Sequence, residues 1–126
     1  MVVLDTNALI FWTIDPLQLS ASATNAISNT ELLVVSSISI WEVGLKTKQG
    51  KLTLPLSLRL YVENLGQTHR VQITSVTEET WLTNLELAWA HKDPADRTIV
   101  ATATLLRCPL ISSDRLIQSF YPSTIW

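Results

Sequence analysis

A single cysteine, Cys108, in 126 residues leaves no intrachain disulfide to form and no cysteine cluster to hold zinc. The reduced cytoplasm is therefore the expected compartment. Charge is scarce as well. Asp, Glu, Lys and Arg make up 16% of the chain, against roughly 25% in soluble domains, and 47% is apolar. That balance excludes disorder. Bases are not in excess: 9 Lys and Arg face 11 Asp and Glu, a formal charge of −2. A strongly basic nucleic-acid module, with its pI above about 9, is disfavoured. The longest charge-free run, Pro16–Thr30, is rich in Ser, Thr and Asn and too short to span a membrane. The first base is Lys46, so the basic start of a signal peptide is missing. Residues 1–45 hold four acids and no base, whereas residues 46–126 hold nine bases and seven acids.

The length fits one domain over residues 1–126, large enough to bury roughly two-thirds of its unfolded surface. Met1–Asp5 reads as a buried β-branched strand ending in a carboxylate. A brief helix over Asn7–Thr13 closes at Asp15-Pro16, and Ser20 caps a small-residue helix to Asn29. Leu32–Ser36 is a second buried strand, followed by a helix over Ser39–Lys48 with Gly50 just beyond its end. Leu58, Tyr61, Val62 and Leu65 form the stripe of a core-facing helix that Gly66 ends. Val71–Val76 is a third strand. Trp81, Leu85 and Ala88 or Trp89 then mark an amphipathic helix from about Thr77. Asp93-Pro94-Ala95-Asp96 opens a helix to Arg107, Pro109–Ser112 is a fourth strand, and Ser123–Trp126 adds a fifth. Strands apolar on both faces, alternating with helices, predict an α/β fold: three layers, α/β/α, around a central parallel sheet.

In such a sheet the carboxyl ends of all strands share one edge, where ligands bind. Asp5 ends strand one, and Asp114 follows strand four by two residues. Glu42 lies in about the first turn after strand two, and Asp93 and Asp96 open a helix. Each acid has an ordinary alternative. Asp93-Pro94 is a good N-cap with Pro at N1, and Asp96 suits the helix dipole. Asp5 suits an Asx-turn, Asp114 a cap for Arg115–Phe120, and Glu42 an i, i+4 pair with Lys46. Capping does not explain why four segments deliver acids to one predicted edge. Clustered carboxylates stay ionised only beside a cation. With no histidine cluster or cysteine among them, the matching ion is Mg²⁺ or Mn²⁺. Such an ion lowers the pKa of a bound water and stabilises a transferring phosphoryl group, the chemistry of a metal-dependent nuclease.

At these residues the sequence resembles the PIN-domain family, most closely the VapC-type toxin ribonucleases of bacterial type II toxin–antitoxin systems. The matching pieces are Leu4-Asp5-Thr6-Asn7, Ser36-Ser37-Ile38-Ser39-Ile40-Trp41-Glu42, His91-Lys92-Asp93-Pro94-Ala95-Asp96-Arg97 and Leu110-Ile111-Ser112-Ser113-Asp114. Gly50-Lys51-Leu52-Thr53-Leu54-Pro55 is similar to one subgroup's loop. The resemblance covers essentially the full chain. It implies a Mg²⁺- or Mn²⁺-dependent endoribonuclease, a cognate antitoxin protein and a homodimer. It also places Asp5, Glu42, Asp96 and Asp114 at the family's acidic positions. Asp5 and Asp96 would contact metal, Glu42 would bind metal or orient the attacking water, and Asp114 would be the variable fourth acid. Asn7 would hold Asp5 or a metal-bound water by hydrogen bonding. No departure occurs at the three main acids, so an inactivated copy is not indicated.

Arg97 would position a phosphate or lock an acid through a bidentate pair. Lys46, Lys48, Lys51, Arg59 and Arg70 would either track an RNA backbone or form a solvated face. His69 and His91 read as structural or surface residues, and Cys108 as a small buried hydrophobe. Trp81 and Trp89 fit a core stripe and Trp41 a place beside the site. Phe11, Trp12 and Trp126 either join the core, which composition favours, or form a dimer seam or antitoxin groove. Two other phosphoryl-transfer families fit poorly. A haloacid-dehalogenase-like phosphatase needs a second acid where Asn7 stands, and a receiver domain needs a lysine after Ile111. A non-enzymatic alternative is an inert PIN fold that binds RNA or protein.

Overall fold

Strands and helices alternate from one end of the chain to the other. The computed structural model describes residues 1–126. It begins with β1 (Val2–Leu4), α1 (Thr6–Ile14), a 3₁₀ turn at Pro16–Gln18, α2 (Ala21–Asn29) and β2 (Leu33–Ser36). There follow α3 (Ser37–Lys48), α4 (Leu58–Gln67), β3 (Val71–Thr74) and α5 (Glu78–Glu86). The chain closes with α6 (Pro94–Leu106), β4 (Leu110–Ile111), α7 (Arg115–Phe120) and β5 (Thr124–Ile125). No helix is long and apolar enough to cross a membrane.

Local chemistry sets the helix starts. The side chains of Ser20, Ser57 and Thr77 accept from the backbone N–H groups of Ala23, Leu60 and Thr80, satisfying donors that a helix leaves orphaned. Gly50, at φ +71°, takes the left-handed conformation just after α3, where a side chain would be strained. Gly66 does not end α4, which continues to Gln67. β3 stops at Thr74, the residue paired with the last residue of β2, Ser36.

All five strands are parallel, in the order β3-β2-β1-β4-β5. The register pairs Val3 with Val34 on one side and Leu110 on the other, so one row of side chains crosses three strands. That row packs with Ile99, Val100 and Ala103 of α6 and Ile117 of α7. Val2, Leu4, Leu33, Val35 and Ile111 project from the opposite face onto Leu9 of α1, Ile27 of α2, Val43 of α3 and Leu65 of α4. The expected α/β/α layering is the observed one. Cys108 is buried in the α6 side of the core, as a small hydrophobe should be.

The tryptophans depart from expectation. Trp81 is 45% exposed and Leu85 76%, because α5 turns Thr80 and Asn84 inward instead. Asn84 donates to the Thr98 hydroxyl of α6 at 3.0 Å, so a polar contact, not an apolar stripe, joins these helices. Trp89 lies beyond the end of α5 and stacks on Phe120, with centroids 4.7 Å apart and planes at 10°. Trp41 is 56% exposed on α3. Trp126 sits 6.2 Å from Phe11, against α1.

Candidate active site

From β1 the chain builds the sheet outward on one side through β2 and β3, then returns to the other side for β4. The switch point between β1 and β4 is where a crevice opens at the carboxyl edge. Asp5 stands there, the first residue after β1 and only 5% exposed. Its Oδ1 caps α1 by accepting from the Ala8 N–H at 2.7 Å. Ser112, directly after β4, has its hydroxyl beside the same carboxylate, and that Oγ accepts from the Asp114 N–H at 3.1 Å. Asp114 caps α7, accepting from the Leu116 N–H at 2.8 Å. Asp93 caps α6, accepting at Oδ1 from Ala95 N–H at 2.9 Å and Asp96 N–H at 3.1 Å. Glu42 projects from α3 and is hydrogen bonded by the Thr6 hydroxyl, which also lies 2.9 Å from the Ser39 hydroxyl. Capping and site are thus not rival explanations here. Asp5, Asp93 and Asp114 each cap the start of a helix with one carboxylate oxygen while lining a common space.

That space is a cavity of about 200 Å³ lined by Asp5, Thr6, Asn7, Glu42, Lys46, Asp93, Asp96 and Asp114, none of them apolar. Lys46 is the one cationic side chain among five carboxylates. Burial pushes the Asp5 carboxyl up to about 6, against the pull of the Ser112 hydroxyl and the Ala8 N–H and with a further push from Asp96 and Asp114. Burial also raises Glu42, with Asp96 and Asp93 adding to the rise. Asp96 is raised by burial and by repulsion from Asp93 and Asp114, while its hydrogen bond to His91 opposes the shift. Every donor is a hard oxygen and the carboxylates repel one another, which is the chemistry a divalent Mg²⁺ or Mn²⁺ satisfies. A water takes on the order of 30 Å³, so the cavity has room for a hydrated ion.

This burial of acidic groups, with their mutual repulsion added, has a measurable consequence. In the folded chain Asp5 holds its proton to about 6, against 3.8 for the free side chain. The folded state therefore binds more protons than the unfolded state across that window, and metal-free stability falls as pH rises through it. Glu42 and Asp96, also raised, act in the same direction. Asp5→Asn removes the charge and keeps an acceptor for Ala8. We expect this variant to be more stable than wild type at pH 7 without metal, by about 2–3 kcal/mol. At pH 4 the difference should shrink towards zero. Urea denaturation at both pH values checks it; an equal or lower stability at pH 7 would contradict the account.

The acids predicted from sequence therefore converge, with differences in detail. Glu42 lies in the second turn of α3, not the first. Asn7 is exposed at the cavity wall and does not hold Asp5; the Ala8 N–H does. Arg97 reaches neither an acid nor the cavity. Its guanidinium donates to the carbonyls of Asn84, Leu87, Trp89 and His91 and to Asn84 Oδ1. Successive helical residues face different ways, so adjacency to Asp96 placed it elsewhere. Arg70 likewise donates to the Ile27 and Thr30 carbonyls, both at 2.7 Å, and is no part of an open basic rim. His91, read as isolated, has its Nε2 2.8 Å from Asp96 Oδ2. Ligand atoms of His91, Asp93 and Asp96 lie within 4.8 Å of one another. Thr6, Ser39 and Ser112 are further members that sequence reasoning missed, since a hydroxyl in a helix or strand end carries no pattern of its own.

The profile of the PIN domain matches residues 2–121. The chain is 30% identical to Ribonuclease VapC22 of Mycobacterium tuberculosis over 129 residues, 99% of this chain and 98% of that protein. Among solved structures it superposes on a toxin–antitoxin complex from Klebsiella pneumoniae with a TM-score of 0.70 at 20% identity, covering 100% of this chain and 97% of that one. VapBC2 from Rickettsia felis, bound to a DNA fragment from its promoter, gives 0.67 at 16% identity, covering 98% and 96%. With its parallel sheet, its acids at the switch point and this likeness along its whole length, the chain belongs to the PIN-domain family, among the VapC-type members.

Proposed function

We propose that this protein is a Mg²⁺- or Mn²⁺-dependent endoribonuclease and the toxin of a toxin–antitoxin pair. The observation that carries the reading is the convergence of Asp5, Glu42, Asp93, Asp96 and Asp114 in one wholly polar cavity at the sheet's switch point. Asp5 and Asp96 would hold the ion directly, Glu42 would bind it or orient the attacking water, and Asp114 would supply the fourth carboxylate. A divalent ion at this position lowers the pKa of a bound water and offsets charge on the phosphoryl oxygens.

The remaining steps belong to the chain's own groups. Thr6, backed by Ser39, fixes the Glu42 carboxylate through a hydrogen bond. The Ala8 N–H does the same for Asp5, with the Ser112 hydroxyl beside it. Asn7, exposed at the wall, is placed to hydrogen bond an incoming phosphate or its water, and Lys46 to offset phosphate charge. Asp93 contributes as the cap that orients the first turn of α6. The likeness to a ribonuclease and to toxin–antitoxin complexes supports the RNA substrate and a cognate antitoxin partner. A homodimer formed in the cytoplasm completes the proposal.

Purified protein should cleave single-stranded RNA when Mn²⁺ or Mg²⁺ is added and stop when the ion is chelated. Cleavage that survives exhaustive chelation would remove the metal from the mechanism. Absence of cleavage with either ion would leave the inert binding fold as the better reading.

A further inference from the structure

Asp96 has its backbone fixed and its side chain free to turn. The main-chain N–H is bound to the Asp93 cap at 3.1 Å and the residue lies in the first turn of α6. Rotation about the side-chain bonds decides where the two carboxylate oxygens point, and four neighbouring carboxylates favour turning away. His91 opposes that rotation. Its Nε2 is 2.8 Å from Asp96 Oδ2, and a carboxylate only accepts, so this nitrogen carries the proton.

The segment that carries His91 has no regular secondary structure, yet it is tied down at both backbone and ring. Arg97 donates to the Trp89 carbonyl at 2.6 Å and the His91 carbonyl at 3.1 Å. The Trp89 ring is stacked on Phe120 and lies 4.8 Å from the His91 ring. These contacts bring an imidazole from a loop to one oxygen of one site carboxylate. Packing alone would not require its nitrogen to point there.

We propose that His91 is a positioning residue for the metal site: its N–H holds Asp96 Oδ2 and so leaves Oδ1 to face the divalent ion. The inference rests on the metal-dependent reading above and deepens it. Outer hydrogen-bond partners of metal ligands act in this way, by fixing which lone pair is offered.

Two variants separate the hydrogen bond from the packing. His91→Phe keeps a ring against Trp89 and removes the donor; His91→Gln removes the ring and keeps an N–H donor at similar reach. Mn²⁺ binding to the full-length chain is measured by calorimetry, with Asp5→Asn as reference. The expected result is about 10–100-fold weaker Mn²⁺ binding for the Phe variant, with the Gln variant close to wild type. Retention in Phe with loss in Gln would make His91 a packing residue and overturn the proposal. Equal behaviour of the two variants, unchanged or weakened, would also overturn it. Nitrogen coupling to Mn²⁺ in pulsed EPR of the wild type would do so too, since it would make the imidazole a ligand. If both His91 variants bind normally while Asp5→Asn loses Mn²⁺, the metal reading stands and only the positioning role falls. A wild-type chain that takes up no Mn²⁺ removes both.

Discussion

Asp5→Asn should fold, and should lose about 10³-fold or more of its RNA cleavage rate. A metal ion in such a site contributes several kcal/mol of transition-state stabilisation, and each 1.4 kcal/mol or so is tenfold in rate. Asp5 is the most buried of the five carboxylates lining the cavity and lies at the switch point itself. Asparagine keeps the shape and the Ala8 cap but not the charge that holds a divalent ion. The same substitution is expected to stabilise the metal-free protein at pH 7, so lost cleavage could not be attributed to unfolding. Single-turnover cleavage of labelled RNA at saturating Mn²⁺ measures the effect. A rate within tenfold of wild type would exclude Asp5 from the chemistry.

Removing the Arg97 guanidinium should have the largest effect on stability. Arg97→Met keeps most of the stem and loses five hydrogen bonds. Two of the acceptors, the Asn84 and Leu87 carbonyls, belong to the last turn of α5 and its C-cap, which has no basic residue of its own. Each of these carbonyls also accepts one backbone N–H, from Leu87 and from Trp89, and the guanidinium supplies its second hydrogen bond, a charged one and so of the stronger kind. The expected loss is about 3–4 kcal/mol, or a fall in Tm of about 10–15 °C for a chain of this size. Arg97→Lys should recover little, because an ammonium cannot span four separate carbonyls. Urea denaturation tests both variants; a loss below about 1 kcal/mol for the Met variant would show that solvent replaces the guanidinium.

Five of the eleven acids line the cavity, so the negative charge is concentrated there. With the five cavity acids set apart, six acids remain against nine bases. The net charge of −2 therefore describes a local cluster more than a repelling surface. It still excludes a strongly basic binder held to RNA by salt-sensitive contacts alone.

The layer architecture, the alternation of the faces of β1 and β2, and the caps at Ser20, Thr77, Asp93 and Asp114 follow from interactions between residues a few positions apart. Such interactions leave periodic or fixed-offset marks in a sequence, and parallel topology then carries the acids to one edge. Asp5, Glu42, Asp96 and Asp114 were legible for that reason. What His91, Arg97, Thr6 and Ser112 do was not. Each acts across a gap set by how separate segments pack: the Thr6–Glu42 and Thr6–Ser39 contacts join α1 to α3, and the Arg97 fan joins α6 to the end of α5. The same holds for the tryptophans of the α5 region, where a hydrogen bond from Asn84 to Thr98 turned the apolar stripe outward. Local periodicity determined which elements exist and where their ends fall. Only the tertiary structure decided which polar groups meet, because hydrogen-bond reach is about 3 Å and no spacing along the chain specifies that distance.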